Sequence, residues 1–371
     1  MGNENAVSGK IEELEEEYSK TKHNKATNKH LGILRAKIAR LKKEAAHKKS
    51  HHGTGFSVKK SGNATVALVG FPNAGKSSLL KHLTNVESKV ADYAFTTIAV
   101  IPGIMEINGA KIQVLDLPGI IEDAYKGRGG GTMIGSVIRI ADLIAIVVDA
   151  NAYRDAYRII DELHKLNIFL NEPAPDIRVE KKTSGGIRFF GKMIGHDEHY
   201  MVEALNETGI YNADITFGTP VDAEKFINYI SESTVYTRSI IILNKVDLIS
   251  QEEANTLSEK LHKDTGMDVL PVSASKSINI DSVKRELFKH LNLIKVYLKP
   301  KDGVPDLEKP LVLRKGATVG EAARAIHSKT AENLKYATVT GTSTKFDNQR
   351  VGQDHVLHDE DIITLFYYKI I

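Results

Sequence analysis

Gly70-Phe71-Pro72-Asn73-Ala74-Gly75-Lys76-Ser77 follows a short β-branched apolar run and opens a helical pattern at Ser78. These residue types at this spacing suit one task, cradling a polyphosphate. Glycines at both ends of the loop let the backbone curl so that its N–H groups face inward, forming an anion nest at a helix N-terminus. Lys76 is then placed to reach the β- and γ-phosphates, and the Ser77 hydroxyl is placed to bind Mg²⁺.

Asp116-Leu117-Pro118-Gly119 closes a second apolar run, Lys111 to Leu115. An acid at the end of a neighbouring strand suits a group that holds Mg²⁺ through water. The Gly119 N–H would touch the γ-phosphate and let it go after hydrolysis. Phe95-Thr96-Thr97 lies between the two motifs, with Thr97 expected as the second hydroxyl on Mg²⁺ and Thr96 as the alternative. Asn244-Lys245-Val246-Asp247 follows the apolar run Ser239 to Leu243. A carboxylate at Asp247 accepts hydrogen bonds from N1–H and the exocyclic amine of guanine. Adenine offers no such pair of donors, and sites built this way discriminate by about 10⁴ or more. Ser273-Ala274-Ser275, after Val269 to Val272, would give a backbone N–H to the guanine oxygen. The implied ligands are GTP and GDP, and the implied reaction is hydrolysis of GTP to GDP and phosphate.

The elements that must position these residues follow from periodicity. Strand-like runs at Thr65 to Val69, Lys111 to Leu115, Leu143 to Val148, Ser239 to Leu243 and Val269 to Val272 alternate with helical stretches such as Tyr153 to Leu170 and Gln251 to Asp264. Such alternation predicts an α/β fold, a phosphate-loop core with a mostly parallel sheet covered on both faces. Glu172 to Tyr236 interrupts the alternation and is too long for a structureless loop. It reads as an inserted α/β module with a hairpin at Val179 to Lys192, helices at His199 to Glu207 and Val221 to Ser231, and a strand at Ala213 to Phe217. Pro300, Pro305 and Pro310 mark a boundary near a small mixed α+β domain, whose helix is expected at Thr318 to His327. Ile11, Leu14 and Tyr18, then Leu31, Leu34, Ile38 and Leu41, predict an N-terminal helical hairpin.

The net charge of +3 is small but unevenly spread. Lys20 to Lys60 contains one acid, Glu44, among many basic residues, so the second helical arm carries a broad basic face suited to RNA phosphates. His51-His52 lacks further ligands at usable spacing and is not expected to hold a metal. Cysteine is absent, which excludes disulfides and thiolate metal sites. No apolar run is long enough to span a bilayer and the N-terminus is acidic and polar, so a cytoplasmic protein without membrane contact is expected.

The motifs resemble the translation-factor-related GTPases, and the residues around them resemble the developmentally regulated GTP-binding family of the Obg-like superfamily. The branch-specific text is Gly70 to Ser77, Ala91-Asp-Tyr-Ala-Phe-Thr-Thr97, Asp116-Leu-Pro-Gly-Ile-Ile-Glu122 and the glycine-rich Gly127 to Gly131. The resemblance implies a basic helical arm (1–60), a GTPase domain in two parts (61–172 and 237–291) and an insert like a ribosomal-protein domain (173–236). It also implies a C-terminal β-grasp TGS domain (292–371), carried by Ile294 to Leu298, Pro310 to Arg314 and Gly352 to Ile362. Association with the ribosome or structured RNA and a regulatory partner protein follow from the resemblance alone. DNA is not an expected partner.

Switch GTPases of another branch orient water with a glutamine after the glycine of the second motif. Here that position is Ile120, followed by Ile121, and an aliphatic side chain cannot do this. Asn73 matches the asparagine that coordinates potassium in several GTPases lacking the glutamine. A monovalent cation there would stabilise the charge that an arginine finger otherwise meets. The expected catalytic set is thus Lys76, Asn73, Thr97 and Gly119, with Mg²⁺ and K⁺ as cofactors. Asn73 as a simple turn residue and Arg128 as an internal finger stay open. The leading expectation is a regulatory GTPase acting in translation. The alternatives are an RNA-binding assembly or scaffold protein with a mainly structural nucleotide site and, behind it, a metabolic NTPase.

Overall fold

The apolar runs become strands, all but the short last one buried on both faces. In the computed structural model β1 (Ala64–Val69), β3 (Ala110–Asp116), β4 (Leu143–Asp149), β9 (Val235–Asn244) and β10 (Val269–Pro271) pair in parallel. β2 (Ile101–Ile107) pairs antiparallel with β3 at the edge, giving the order β10-β9-β4-β1-β3-β2. The structure describes residues 62–84, 101–117, 138–195, 197–231, 234–326 and 331–368, and positions within 9–21 and 30–41. The chain divides into two compact units, Met1–Ser57 with Ile160–Thr237, and Val58–Ile159 with Arg238–Ile371.

In the larger unit, α1 (Lys76–Leu83) buries Leu79, Leu80 and Leu83 in the same core as Val66, Leu68 and Val114. α5 (Gln251–Thr265) begins where Ser250 Oγ accepts from the Glu253 N–H at 3.2 Å and stops at Gly266, which takes φ 69°. α6 (Ile280–His290) adds Val283 and Leu287 to the core. The phosphate loop, Asp116, Asp149, Asn244 and Ser273 all fall at carboxyl ends of strands, the edge where open parallel sheets bind ligands.

The C-terminal strands β11 (Leu293–Leu298), β12 (Leu311–Arg314), β13 (Leu334–Thr340), β14 (Gln349–Val351) and β15 (Ile362–Tyr367) form a separate sheet in the order β12-β11-β15-β13-β14. α7 (Val319–Ile326) packs Ala322 and Ala323 into its core with Ile294, Val339 and Ile363. β12 also anchors this domain to the amino ends of the parallel strands, opposite the carboxyl edge. Val312 buries its side chain in the core of the parallel sheet, its carbonyl accepts from Asn63 Nδ2 at 3.2 Å, and Arg314 pairs with Asp142. Asp142 in turn accepts from the Thr65 N–H at 2.9 Å.

In the smaller unit the insert has three strands, β6 (Ile177–Lys181), β7 (Ile187–Ile194) and β8 (Ala213–Asp222), with α3 (Glu198–Glu207) and α4 (Ala223–Ile230) on one face. The expected hairpin at Val179 to Lys192 is overturned. β8 lies between β6 and β7, antiparallel to the first and parallel to the second. The polar link between them is long enough to step over a strand, which local pattern cannot reveal. The expected helix from Tyr153 to Leu170 is α2 (Asp155–Lys165), after which Asn167 at φ 58° turns the chain into β5 (Ile168–Leu170), paired with residues 235–237. Helical residues within 30–41 bury Leu31, Leu34 and Ala36, and a Cβ placed on Gly32 would lie 3.2 Å from Ile227 on α4. The apolar stripe of the basic arm thus seats on the insert.

Candidate functional site

Local backbone chemistry shapes the loop after β1. Asn73 and Gly75 both take positive φ, at 64° and 91°. Gly75 is obligatory for a second reason, because a Cβ there would strike Asn244 Nδ2. A Cβ on Gly70 would likewise meet the Val147 carbonyl, so β1 passes β4 without room for a side chain. Ala74 is buried and its N–H donates to the Phe71 carbonyl at 3.3 Å. Pro72 and Ser78 are exposed.

Lys76 starts α1 and folds back over the loop, donating to the carbonyls of Gly70 at 2.8 Å and Phe71 at 3.1 Å. Burial pushes its pKa down, and the nearby Asp116 carboxylate partly opposes that. Ser77 Oγ donates to Asp116 Oδ2 at 2.5 Å. The β1–β3 register sets Asp116 opposite Leu68, which brings this carboxylate beside the loop. Its other oxygen, Oδ1, is buried and has no hydrogen-bond partner among the described residues. A covered carboxylate oxygen carries a desolvation cost that something must offset. A hydroxyl, a free carboxylate oxygen and an anion nest together fit a hard, oxygen-seeking cation such as Mg²⁺. Leu117 is buried behind them.

Asn244 ties the motifs together. Its Nδ2 donates to the Ala74 carbonyl at 2.9 Å and its Oδ1 accepts from the Ala274 N–H at 3.1 Å, both in the interior. One amide therefore spans the phosphate loop, the end of β9 and the segment after β10. Lys245 takes φ 63° and the Val246 N–H donates to the Val272 carbonyl at 3.1 Å. Ser275 Oγ donates to Asp247 Oδ2 at 3.3 Å, and Ser273 and Ser275 lie 3.1 Å apart. A hydrogen bond from Ser273 foremost, with help from the Asp247 N–H and Ser275, holds the Asp247 carboxyl below the usual range. Asp247 Oδ1 is the second covered carboxylate oxygen here that no hydrogen bond of good geometry reaches among the described residues.

The structure thus gathers Gly70 to Ser77, Asp116, Asn244 to Asp247 and Ser273 to Ser275 at one edge. Phe95, Thr96, Thr97, Pro118, Gly119, Ile120 and the Gly127 to Gly131 run with Arg128 lie outside the described residues. Two contributors were missed from the sequence. Asp149, the last residue of β4, pairs with Lys245 at 2.8 Å, and Arg158 on α2 lies 4.7 Å from the centre of the Phe71 ring. An acid closing the apolar run Leu143 to Val148 repeats the pattern at Asp116, so Asp149 had a legible signal; Arg158 had none.

Comparison with known proteins agrees with this geometry. Residues 65–177 match a family described as 50S ribosome-binding GTPase, residues 184–293 match the C-terminal region of that domain, and residues 294–367 match the TGS domain. An uncharacterized GTP-binding protein of Methanocaldococcus jannaschii is 42% identical over 368 residues, covering 98% of this chain and 94% of that one. The developmentally-regulated GTP-binding protein 1 homolog of Dictyostelium discoideum is 40% identical, over 96% of this chain and 98% of its own. Developmentally-regulated GTP-binding protein 2 of Homo sapiens is 39% identical with the same coverage.

Proposed function

Because this chain belongs to the developmentally regulated GTP-binding family of Obg-like GTPases, which bind and hydrolyse GTP, we propose that it is a ribosome-associated switch acting in translation. The observation that carries the nucleotide-switch part of the reading is the pair of covered carboxylate oxygens at Asp116 and Asp247, unpartnered among the described residues. One sits beside the phosphate loop and Ser77, the other beside Ser273 and Ser275. They lie where a phosphate-bound cation and a guanine edge would satisfy them.

In this reading the loop N–H groups and Lys76 bind the phosphates. Lys76 exchanges the carbonyls of Gly70 and Phe71 for phosphate oxygens. Ser77, Thr97 and Asp116 are the residues that would hold Mg²⁺, Asp116 through water, and the ion would supply neutralisation of phosphate charge. Asp247 reads guanine while Asn244 keeps the base loop and the phosphate loop in register. Gly119 and Thr97 would respond to the γ-phosphate, and Asn73 would hold K⁺, which would stabilise developing negative charge.

Domain limits at 60, 172, 236 and 291 are part of the proposal. Ribosome or RNA contact is supported by the basic run Lys20 to Lys60 and by the description of the matching GTPase family. A regulatory protein partner and a cytoplasmic location complete it; among the described residues no helix is long and apolar enough to cross a membrane. The test is phosphate release from GTP in potassium and in sodium buffer, each with and without ribosomes. Faster release with ribosomes supports the switch. Turnover that is negligible in all four conditions would turn the reading toward an assembly protein with a structural nucleotide.

A further inference from the structure

We propose that Asn63 is a positioning residue for the Mg²⁺ end of the site, tying the C-terminal domain to β3 and so fixing the height at which that strand presents Asp116. Asn63 stands exposed at the amino edge of the parallel sheet, immediately before β1, yet its N–H and both ends of its carboxamide are engaged. The N–H donates to the Lys111 carbonyl at 2.7 Å and Oδ1 accepts from the Lys111 N–H at 2.8 Å, so one residue of β3 is gripped at both backbone groups. Nδ2 donates to the Val312 carbonyl on β12 at 3.2 Å. Gly62, at φ 90°, lets the chain close around Lys111, because a Cβ there would strike the Lys111 carbonyl.

β2 and β3 form a hairpin whose turn meets the C-terminal domain. Asn108 and Gly109 take φ 51° and 78°, and a Cβ on Gly109 would lie 2.6 Å from Pro310 Cγ. Val312 is buried in one core with Ala110 and Ile112, the neighbours of Lys111. Arg314 makes a different tie, to Asp142 ahead of β4, and that carboxylate serves the Thr65 N–H of β1. Asn63 is thus the amide through which β12 reaches β3.

From Lys111 the strand runs five residues, roughly 17 Å, to Asp116. β3 is paired with β1 on one side and β2 on the other, and it is buried from Ile112 to Asp116. A close-packed strand bonded at both edges passes a shift at one end to the other. The far end tolerates little. Asp116 Oδ2 accepts from Ser77, while Oδ1 is covered and has no hydrogen-bond partner among the described residues. A cation held through this carboxylate and the Ser77 hydroxyl needs both placed to within about 0.5 Å.

This inference rests on the reading of Asp116 as a Mg²⁺ group given above. Release of a fluorescent GDP analogue from the full-length protein would be timed in Mg²⁺ and in EDTA, for wild type, Asn63→Ala, Asn63→Asp and Arg314→Ala. Asn63→Asp keeps an acceptor for the Lys111 N–H and loses the donor to Val312. Both Asn63 variants are expected to release the analogue about three- to fivefold faster than wild type in Mg²⁺, the scale of one hydrogen bond, and at the wild-type rate in EDTA. Arg314→Ala, which leaves Asn63 in place, should match wild type in both. Amide exchange across 110–116, followed without nucleotide or metal, should be faster in Asn63→Ala and unchanged in Arg314→Ala. Equal acceleration with and without Mg²⁺ would make Asn63 a brace for the fold and overturn the proposal. Wild-type release by Asn63→Asp, equal acceleration by Arg314→Ala, or unchanged exchange in Asn63→Ala would each overturn it too. Release from wild type that Mg²⁺ does not slow would sink the reading of Asp116 itself, and this proposal with it.

Discussion

The Lys245 ammonium lies 2.8 Å from an Asp149 carboxylate oxygen, joining the last residue of β4 to the residue that follows β9. The β4–β9 register already sets Asp149 opposite Asn244, and the second Asp149 oxygen accepts from the Asn151 N–H at 2.9 Å, so the acid is held at both oxygens. Lys245 is therefore steered from its left-handed backbone position toward β4 and not into solvent.

Asp149 is thus a positioning residue for the base loop. Asp149→Ala is expected to speed GDP release about three- to fivefold, the scale of a partly exposed ion pair worth up to about 1 kcal/mol. Its guanine over xanthine preference should match wild type, because Asp247 and Asn244 keep their partners. Release followed with a fluorescent GDP analogue decides the matter. An unchanged rate would mean that the pair braces β4 and β9 and does nothing for the nucleotide.

Base selection should reside in Asp247. Asp247→Asn presents an amide that donates where the carboxylate accepted, so preference should move from GTP toward xanthosine triphosphate. Competition binding that still favours GTP by the original margin would remove Asp247 from that role. The hydrogen bonds that lower its pKa also set a pH dependence. Guanine binding needs the ionised form, which these hydrogen bonds keep to a lower pH than in an ordinary carboxylate. Wild-type guanine preference should accordingly be the same at pH 7 and pH 5.

Much of this site was legible because its chemistry is local. Gly70 to Ser77, Asn244 to Asp247 and Ser273 to Ser275 are contiguous segments at the ends of apolar runs, and alternation of strand and helix implies the sheet that gathers them. What escaped depends on tertiary partners. β2 has an alternation weakened by Pro102 and Gly103, and only its pairing with β3 makes it a strand. The chain order of β6 and β7 suggested a hairpin, whereas the buried β8 takes the central place between them. The anchoring of β12 through Val312 and Arg314 pairs residues far apart in sequence, beyond any periodic signal.

Lys76 is the side chain whose loss should separate binding from folding. In the structure it hydrogen-bonds two carbonyls of its own loop and is almost fully covered. Replacing it by Ala loses those bonds but also relieves the cost of covering an ammonium, so the unfolding midpoint should stay near wild type. GTP binding should fall below detection in titration calorimetry. Ser77→Ala should instead retain weak nucleotide binding but lose its strengthening by Mg²⁺. Wild-type GTP affinity in Lys76→Ala would overturn the assignment of the loop.

The rate of hydrolysis is the property most sensitive to Asn73. With Ile120 in place of a glutamine, unaided turnover should be slow, about 10⁻⁴ to 10⁻² s⁻¹ as for unassisted switch GTPases. Potassium held by the Asn73 carboxamide should raise it, and sodium, being smaller, should fit the same oxygens less well. The backbone decides how this should be tested. Asn73 takes φ 64°, a left-handed conformation that asparagine tolerates and alanine resists at a cost of roughly 1 kcal/mol. Asn73→Ala would therefore disturb the loop along with the carboxamide. Asn73→Gly removes the side chain while keeping the backbone at ease, so GTP affinity should remain close to wild type. Single-turnover hydrolysis by wild type and Asn73→Gly, each in potassium and in sodium, gives four rates. Wild type should be faster in potassium, and the glycine variant should be equally slow in both. A potassium advantage that survives in Asn73→Gly would make Asn73 a turn residue, chosen for its φ. Equal wild-type rates in the two salts would dismiss the monovalent cation and leave Arg128, or a group supplied by a partner, to meet the developing charge.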